Sequence, residues 1–437
     1  MRRSLLISAL SVLFLELPLH VDAGAPTWPS ASPWRATAEP LTSQAVTPVP
    51  DACALAAMVP GALAYGPPPI VRTGTRIVYF GMTASVPGER SQLVLDENGR
   101  WVDPATGERW GEREVPGAGG AGFTVLRVGY VDAQVAQLTS RLYGWDPLTR
   151  QSAYSMAWGL VSHAGCMADY WIHPTALASL AEVDLPGVRI LRMPYRLGER
   201  VFDAIRIQTT SATAYDAYVF DLASGLMIFH GARATGAPVW TPPVGGQAGL
   251  GEGSTQLVSA WIVDVQDAPV PWQTYAAPAW VASVQRLTYA GTMTTVTAGT
   301  SPLQLPIDLE VTIDARGSDW LHARTVSRMG SIQGMPPSVQ ASIESSGPAS
   351  IGGLWIAPDA LAQLRPGQPI ERVEAVGIDT TVGDTTGGRV VVVEQGPLHR
   401  IEYAYDVVTG VLDAVTVTQQ VGITRFVYAM QLMERPR

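Results

Sequence analysis

His163, Cys166, Asp169 and His173 lie in one short stretch of this sequence. Imidazole, thiolate and carboxylate groups at such spacing are the types that hold a transition metal. Cys166, however, is one of only two cysteines, with Cys53. An even cysteine count in an exported chain favours a disulfide. A thiol spent on a disulfide is no ligand, and His173 stands where a helix begins. The reading is therefore a Cys53–Cys166 bridge, with no metal and no cofactor.

Other chemistry leaves little trace. The chain has no Gly-x-Ser-x-Gly elbow, His-Glu-x-x-His or paired Cys-x-x-Cys. Asp96-x-Asn98-Gly99 opens like a calcium loop, but its glycine comes two positions early. A two-residue Asn98-Gly99 hairpin turn explains it better. There is no lysine at all, which removes Schiff-base chemistry and any phosphate-binding P-loop. Carboxylate pairs for glycoside hydrolysis are set by distance in space, so they leave no mark along the chain. Thirteen tryptophans could line a sugar-binding or apolar face. Of these, Trp101 and Trp110 sit on an inserted segment and are the candidates for exposed contacts. Trp171 stands at a recurring landmark, as a core residue would.

That landmark organises the chain. Trp171-Ile-His-Pro-Thr-Ala-Leu-Ala-Ser-Leu returns as Trp355-Ile-Ala-Pro-Asp-Ala-Leu-Ala-Gln-Leu, 184 positions on (171 to 355). Tyr218-Val-Phe-Asp221-Leu-Ala-Ser-Gly225 returns as Tyr403-Ala-Tyr-Asp406-Val-Val-Thr-Gly410, 185 positions on (221 to 406). Arg76, Tyr79 and Gly81 return as Arg286, Tyr289 and Gly291. Two landmarks of different chemistry in one register mean a duplicated unit. The Tyr-x-x-Asp-x-x-x-Gly string is similar in turn chemistry to the YD repeats of bacterial surface and toxin proteins. Those lie in close succession, whereas here they are far apart.

The first copy is the more elaborate. It alone carries residues 93–110, read as two successive hairpins, and a Gly/Pro-rich excursion near Gly231 to Gly253. Asp103 to Gly107, Asp146 to Arg150, Asp221 to Gly225 and Asp406 to Gly410 share one turn design. Aspartate accepts nearby N–H groups, and glycine takes the left-handed position cheaply. Most other segments are short, β-branched or aromatic, and alternate with polar residues, as antiparallel strands with one buried face do. The repeated Trp-Ile-x-Pro is the exception. Pro174 and Pro358 suit a first helical position. Leu177 with Leu180, and Leu361 with Leu364, then line one face of a helix of two to three turns.

At the N-terminus, Arg2 and Arg3 precede an apolar Leu5–Leu15 stretch, and Val21-Asp22-Ala23 fits a cleavage site. Residues 1–23 thus read as a signal peptide and 24–70 as a Pro/Ala/Ser/Thr-rich leader with a short pre-domain segment. Repeat unit one covers 71–270 and unit two 271–437. The net charge of −9 argues against nucleic acid as a partner. No later apolar run is long enough for an integral membrane segment.

The expected architecture is mainly β: two tandem antiparallel, half-barrel-like units, each with one short helix. In layout it resembles the half-barrels of periplasmic lipoprotein carriers. The leading functional expectation is an exported, periplasmic or extracellular, non-enzymatic binding protein for a small apolar or envelope-derived ligand. The alternatives are a hydrolase of envelope or extracellular polymers and a structural or adhesive envelope component. Binding is expected in unit one, bordered by Trp171, Trp101 and Trp110.

Overall fold

The computed structural model describes residues 53, 55–87, 92–96, 99–107, 109–110, 120–146, 150–167, 170–235, 254–330 and 338–436. The expected signal peptide and most of the leader lie outside the described residues.

Unit one contains β1 (Thr75–Pro87), three short strands β2 (Val94–Leu95), β3 (Trp101–Val102) and β4 (Arg109–Trp110), then β5 (Gly120–Val131), β6 (Val135–Asp146) and β7 (Gln151–His163). Short strands β8 (Cys166–Met167) and β9 (Trp171–Ile172) lead into α1 (Pro174–Ala178). After it come β10 (Val183–Leu185), β11 (Val188–Leu197), β12 (Arg200–Thr210), β13 (Ala214–Asp221), β14 (Met227–Thr235) and β15 (Ser254–Asp267). Unit two contains β16 (Arg286–Thr297), β17 (Leu303–Arg316), β18 (Leu321–Met329), β19 (Ser338–Ser346) and α2 (Pro358–Leu361). It ends with β20 (Pro369–Val373), β21 (Ile378–Val382), β22 (Arg389–Gln395), β23 (His399–Asp406), β24 (Leu412–Val421) and β25 (Thr424–Leu432).

Each unit is one ten-stranded antiparallel sheet, and the two sheets share one topology. The orders are β10-β11-β12-β13-β14-β15-β1-β5-β6-β7 and β20-β21-β22-β23-β24-β25-β16-β17-β18-β19. In both, the first long strand pairs with the last, and the helical connection spans the only break in the circuit. The duplication read from the sequence is therefore a duplication of fold. The strands form because apolar residues alternate: in β17, Leu305, Ile307, Val311 and Ile313 are buried on one face.

The helices are shorter than expected. Each has one turn, with Pro174 or Pro358 in the first position. The chain then continues through i→i+3 bonds from Leu180 N–H to Leu177 and from Leu364 N–H to Leu361. Two leucines three apart supply an apolar stripe for one turn only, and a helix this short has no stability of its own. Packing holds it: Trp171 and Trp355 are buried together with Ile172, Ile356, Leu177 and Leu361. Burying each indole contributes roughly 3 kcal/mol.

In each unit the segment before the first strand plugs the helix-bearing side, and both plugs are tethered at the same place. Cys53 and Cys166 form the expected disulfide, with Cα atoms 5.5 Å apart. Ser350 takes the place of Cys166 in unit two, and its carbonyl accepts the indole N–H of Trp272 at 3.2 Å. Among the described residues no helix is long and apolar enough to cross a membrane.

Three details differ from expectation. Asp96 N–H donates to Arg100 O at 2.9 Å and Gly99 N–H to Asp96 O at 3.2 Å. Three residues thus separate the closing pair, with Gly99 at φ +75°, so this is a three-residue loop rather than a two-residue turn. Gly231 to Thr235 belong to β14, which leaves 236–253 of the Gly/Pro-rich excursion outside the described residues. Finally, Trp101 is not an exposed contact. It is 3% exposed, its indole N–H donates to Ser259 Oγ at 3.1 Å, and its ring meets Tyr215 edge-on. The three-stranded insertion lies on the face of the first sheet opposite α1. That face carries Tyr215, Phe229 and Leu257, which need an apolar cover.

Candidate functional site

The units meet through opposite faces. Ile77 and Tyr79 of β1 point to the core beneath α1, so Arg76, Val78 and Phe80 point outward, as do Val125 and Arg127 of β5 and Tyr143 of β6. This outer face of unit one enters the helix-bearing side of unit two. There, Glu371, Thr380, Glu394 and Ile401 are cross-strand partners across β20 to β23 and share one face. Tyr405 and Val392 on the same face pack against α2.

Ion pairs fill the junction. Arg76 donates to Glu371 Oε1 at 2.9 Å, to Asp264 Oδ2 at 3.1 Å and to the Arg372 carbonyl at 2.7 Å. Arg127 also pairs with Glu371. Burial pushes the Glu371 pKa up, but Arg127 and Arg76 outweigh it and hold the carboxyl below its usual range. Arg141 pairs with Glu394 and donates to the Ile351 carbonyl. Tyr143 donates to Glu394 Oε1 at 2.9 Å.

His399 completes this network and looks, in isolation, like half of an acid–base pair. Its Nδ1 accepts from the Tyr154 backbone N–H at 3.3 Å, which leaves Nε2 to donate to Glu394 at 3.2 Å. Burial, reinforced by Arg141, lowers its pKa to about 4, so the ring is neutral at pH 7. The space among Arg127, Arg141, Tyr143, Glu371 and Glu394 is about 20 Å³, room for about one water. This cluster joins two units and leaves no place for a substrate.

The residues expected to border a ligand in unit one are not brought together around an opening. Trp171 is fully buried, its indole N–H donating to Ala164 O at 2.9 Å. Trp101 lies on the opposite side of the sheet. Trp110 pairs in the backbone with Trp101. Farther from α1 the inner face is closed as well: Thr124, Ser140, His230, Ala232, Val258 and Ala260 are all buried. Of the four residues considered as metal ligands, Asp169 lies outside the described residues and Cys166 is in the disulfide. His163 Nδ1 accepts from Gly165 N–H at 3.2 Å, and His173 Nδ1 from Thr175 N–H at 3.2 Å, capping α1. Among the described residues no group of three such side chains could hold a metal.

Unit two differs. Near α2 its inner face is sealed by Trp355, Leu321, Ala323 and Tyr289. Away from α2, Met293, Leu305 and Ile307 form the floor, while Met329, Tyr428 and Met430 are only partly covered. Val415 and Val417, neighbours of Met430 and Tyr428 in register, are half-buried as well. Tyr154 of β7 packs from unit one against the core under α2, and Glu344 of β19 stands at the sealed end of the inner face. Glu344 is paired in register with Ala323, so it shares the inner face. Burial raises its pKa to about 7. Nothing along the chain marks this site. A cleft made by sparse cover over ordinary apolar alternation has no motif. Glu344 could have been singled out only as the one acid in a run of serines, Ser338 to Ser346.

A second opening, of about 340 Å³, lies on the surface between β11 and β12 and is lined by Arg192, Met193, Pro194, Val201, Phe202 and Asp203.

No family model matches the chain, and no curated protein does. Among solved structures, one match is a protein with unknown function from the DUF3598 family of Nostoc punctiforme. It is 10% identical, covers 81% of this chain and 94% of that chain, and superposes with a TM-score of 0.13. A score that low assigns neither fold nor function.

Proposed function

We propose that this chain is an exported, non-enzymatic binding protein for an apolar or envelope-derived ligand, held on the helix-bearing face of the second sheet. One observation carries this reading. Met329, Val415, Val417, Tyr428 and Met430 lie half-buried on an inner face whose counterpart in unit one is closed. Apolar concavities with a few polar groups are the usual sites of small apolar molecules. The His399–Glu394 pair supports no hydrolytic alternative, since both groups are engaged by neighbours in a sealed junction. The acidic surface fits a partner other than nucleic acid.

The test is binding of N-phenyl-1-naphthylamine, a neutral apolar fluorophore, with organic extraction of the protein as isolated from its own cells. Enhancement that saturates at one probe per chain is expected. Met430→Glu should lower affinity at least about tenfold, by placing a charge in the cleft. Val408→Glu, at a turn residue 78% exposed, should leave it unchanged. No saturable binding, together with clean extracts, would overturn the reading.

A further inference from the structure

We propose that the ligand of the second unit is an extended polypeptide segment that adds a strand along the open edge of β19. Its alternate, apolar side chains enter the cleft bordered by Met329, Tyr428 and Met430. This rests on the binding reading above and adds the chemical class of the ligand.

The two ten-stranded sheets end in β10, β7, β20 and β19. Three of these edges are covered or guarded. β10 is only three residues long, and β11 continues past it with Arg192, Pro194 and Arg196. Proline offers no N–H, and charges on an edge strand discourage pairing. On β7, the Tyr154 N–H donates to His399 Nδ1 at 3.3 Å and Ser152 Oγ donates to the Val376 carbonyl. On β20, the Arg372 carbonyl accepts from Arg76 at 2.7 Å, and Pro369 begins the strand. β19 is covered over its C-terminal half alone. Ser345 Oγ donates to the Leu138 carbonyl at 2.7 Å and accepts from Gln137 at 2.8 Å. A Cβ on Gly159 of β7 would lie 2.1 Å from the Ser345 nitrogen. From that contact β7 crosses to His399 on β23 and leaves β19 behind. Among the described residues, Ser338 to Ser342 pair with β18 and with no other strand. Val339 is 65% exposed, and Gln340 and Ala341 are exposed too. The run from Ser338 to Ile343 carries neither charge nor proline, so this edge has none of the usual guards.

Edge and cleft are adjacent. Ser338 is the cross-strand partner of Met329, so the open edge begins beside the partly covered end of the inner face. A strand edge presents N–H and C=O groups at every second residue, and the complement of that ladder is another strand. A lipid tail offers no such repeat of donors and acceptors. A chain laid along Ser338 to Ser342 would turn every second side chain inward, toward the floor of Met293, Leu305 and Ile307. Charged residues near the cleft do not share this face. Asp308 of β17, Arg328 of β18 and Arg425 of β25 alternate with inward residues and stand on the outer face. The inward side chains that fit are therefore uncharged and apolar, while main-chain bonds supply the hold.

The experiment uses a fluorescein-labelled peptide, Lys-Val-Thr-Val-Thr-Val-Thr-Lys, read by fluorescence anisotropy. Two further forms carry N-methyl groups on all valines or on all threonines. Each blocks one edge of the peptide strand and keeps every side chain. One methylated form should bind like the unmodified peptide and the other at least about tenfold more weakly. Of Gln340→Pro and Ala341→Pro, one removes an N–H from the open edge and the other breaks the ladder with β18. The variant that keeps the parent's near-ultraviolet circular dichroism should lose the peptide by a similar factor and still bind N-phenyl-1-naphthylamine. Equal affinities for the three peptides, equal loss in both methylated forms, or no saturable peptide binding would overturn the inferred ligand class. With the fluorophore still bound, the binding reading would stand. A dimer in light scattering that excess peptide does not dissociate would assign the edge to a second copy, and would also overturn the proposal. Failure of peptide and fluorophore alike would overturn both.

Discussion

The backbone N–H of Ile172 donates to the carbonyl of Gly225 at 3.0 Å, and Ile356 does the same to Gly410 at 2.9 Å. The two repeated motifs, far apart in sequence, therefore touch through the backbone in each unit. Each glycine answers two demands at once. Its φ is +75° or +72°, and a Cβ placed on it would lie 2.2 or 2.1 Å from the isoleucine carbonyl. Gly107 closes a similar Asp-x-x-x-Gly turn at φ +72° with open space around it. Gly107→Ala should therefore cost about 1 kcal/mol, whereas Gly225→Ala or Gly410→Ala should cost roughly 3 kcal/mol or more. Urea unfolding midpoints measure both, and equal losses at the two kinds of site would refute the double role.

The fourth turn of this design ends on Arg150, the one non-glycine residue at positive φ (54°) among those described. An L side chain pays for the left-handed region, whereas glycine does not. Arg150→Gly should raise stability by about 0.5–1 kcal/mol, read from the same denaturation curves.

Removing Arg141 leaves Glu394 buried beside a neutral His399. Arg141→Met should cost on the order of 3–5 kcal/mol. Adding Glu394→Leu should recover a large part of that loss, because no unpaired charge then remains. A double-mutant cycle checks this. Strict additivity would mean that the pair does not couple across the junction.

Glu344 makes stability depend on pH. Its carboxyl titrates near 4.5 when unperturbed and near 7 in the fold. Between those values the folded state holds the extra proton, so stability is greatest below about 4.5 and falls as pH rises to about 7. The loss is on the order of 2–3 kcal/mol. Glu344→Gln should match the parent near pH 4.5 and exceed it at pH 8. Any acid weakening from other groups is common to both proteins and drops out of the difference.

The Cys53–Cys166 bridge closes a separation of 113 residues, worth about 3–5 kcal/mol in the chain-entropy view. Cys53→Ser with Cys166→Ser should lower the midpoint accordingly. It should also expose Leu55 to Val59 to proteolysis first, because that plug loses its tether. A double variant as resistant as the parent would show that packing alone holds the plug.

Much of this fold could be read from particular residues. Trp171 with Trp355, and Gly225 with Gly410, gave the duplication and its register, because turn glycines and helix-entry tryptophans are dictated locally. Cys53 and Cys166 gave the bridge by count. What could not be read is how the copies meet. Arg76 and Arg141 find Glu371 and Glu394 across more than 250 residues, and nothing local marks such partners. The burial of Trp101 is hidden from the sequence for a related reason. An inserted hairpin reads as exposed until the apolar outer face beneath it, Tyr215 and Phe229, is known. The accessible interior also belongs to unit two rather than the more decorated unit one. Cover is a property of neighbours, not of the strands themselves.

The contact between the units, outer face into inner face, is heterologous: the two surfaces differ. Between free, identical copies such a joint has no symmetry to close it and would propagate head-to-tail into a filament. This chain ends the series after one step. The plug pinned by Cys53 and the buried Thr124, Ser140 and Ala260 leave unit one no socket for a further copy. Unit two keeps the socket, and the part that unit one does not fill is the cleft bordered by Met329, Tyr428 and Met430. The binding site, on this view, is the unclosed remainder of an assembly joint.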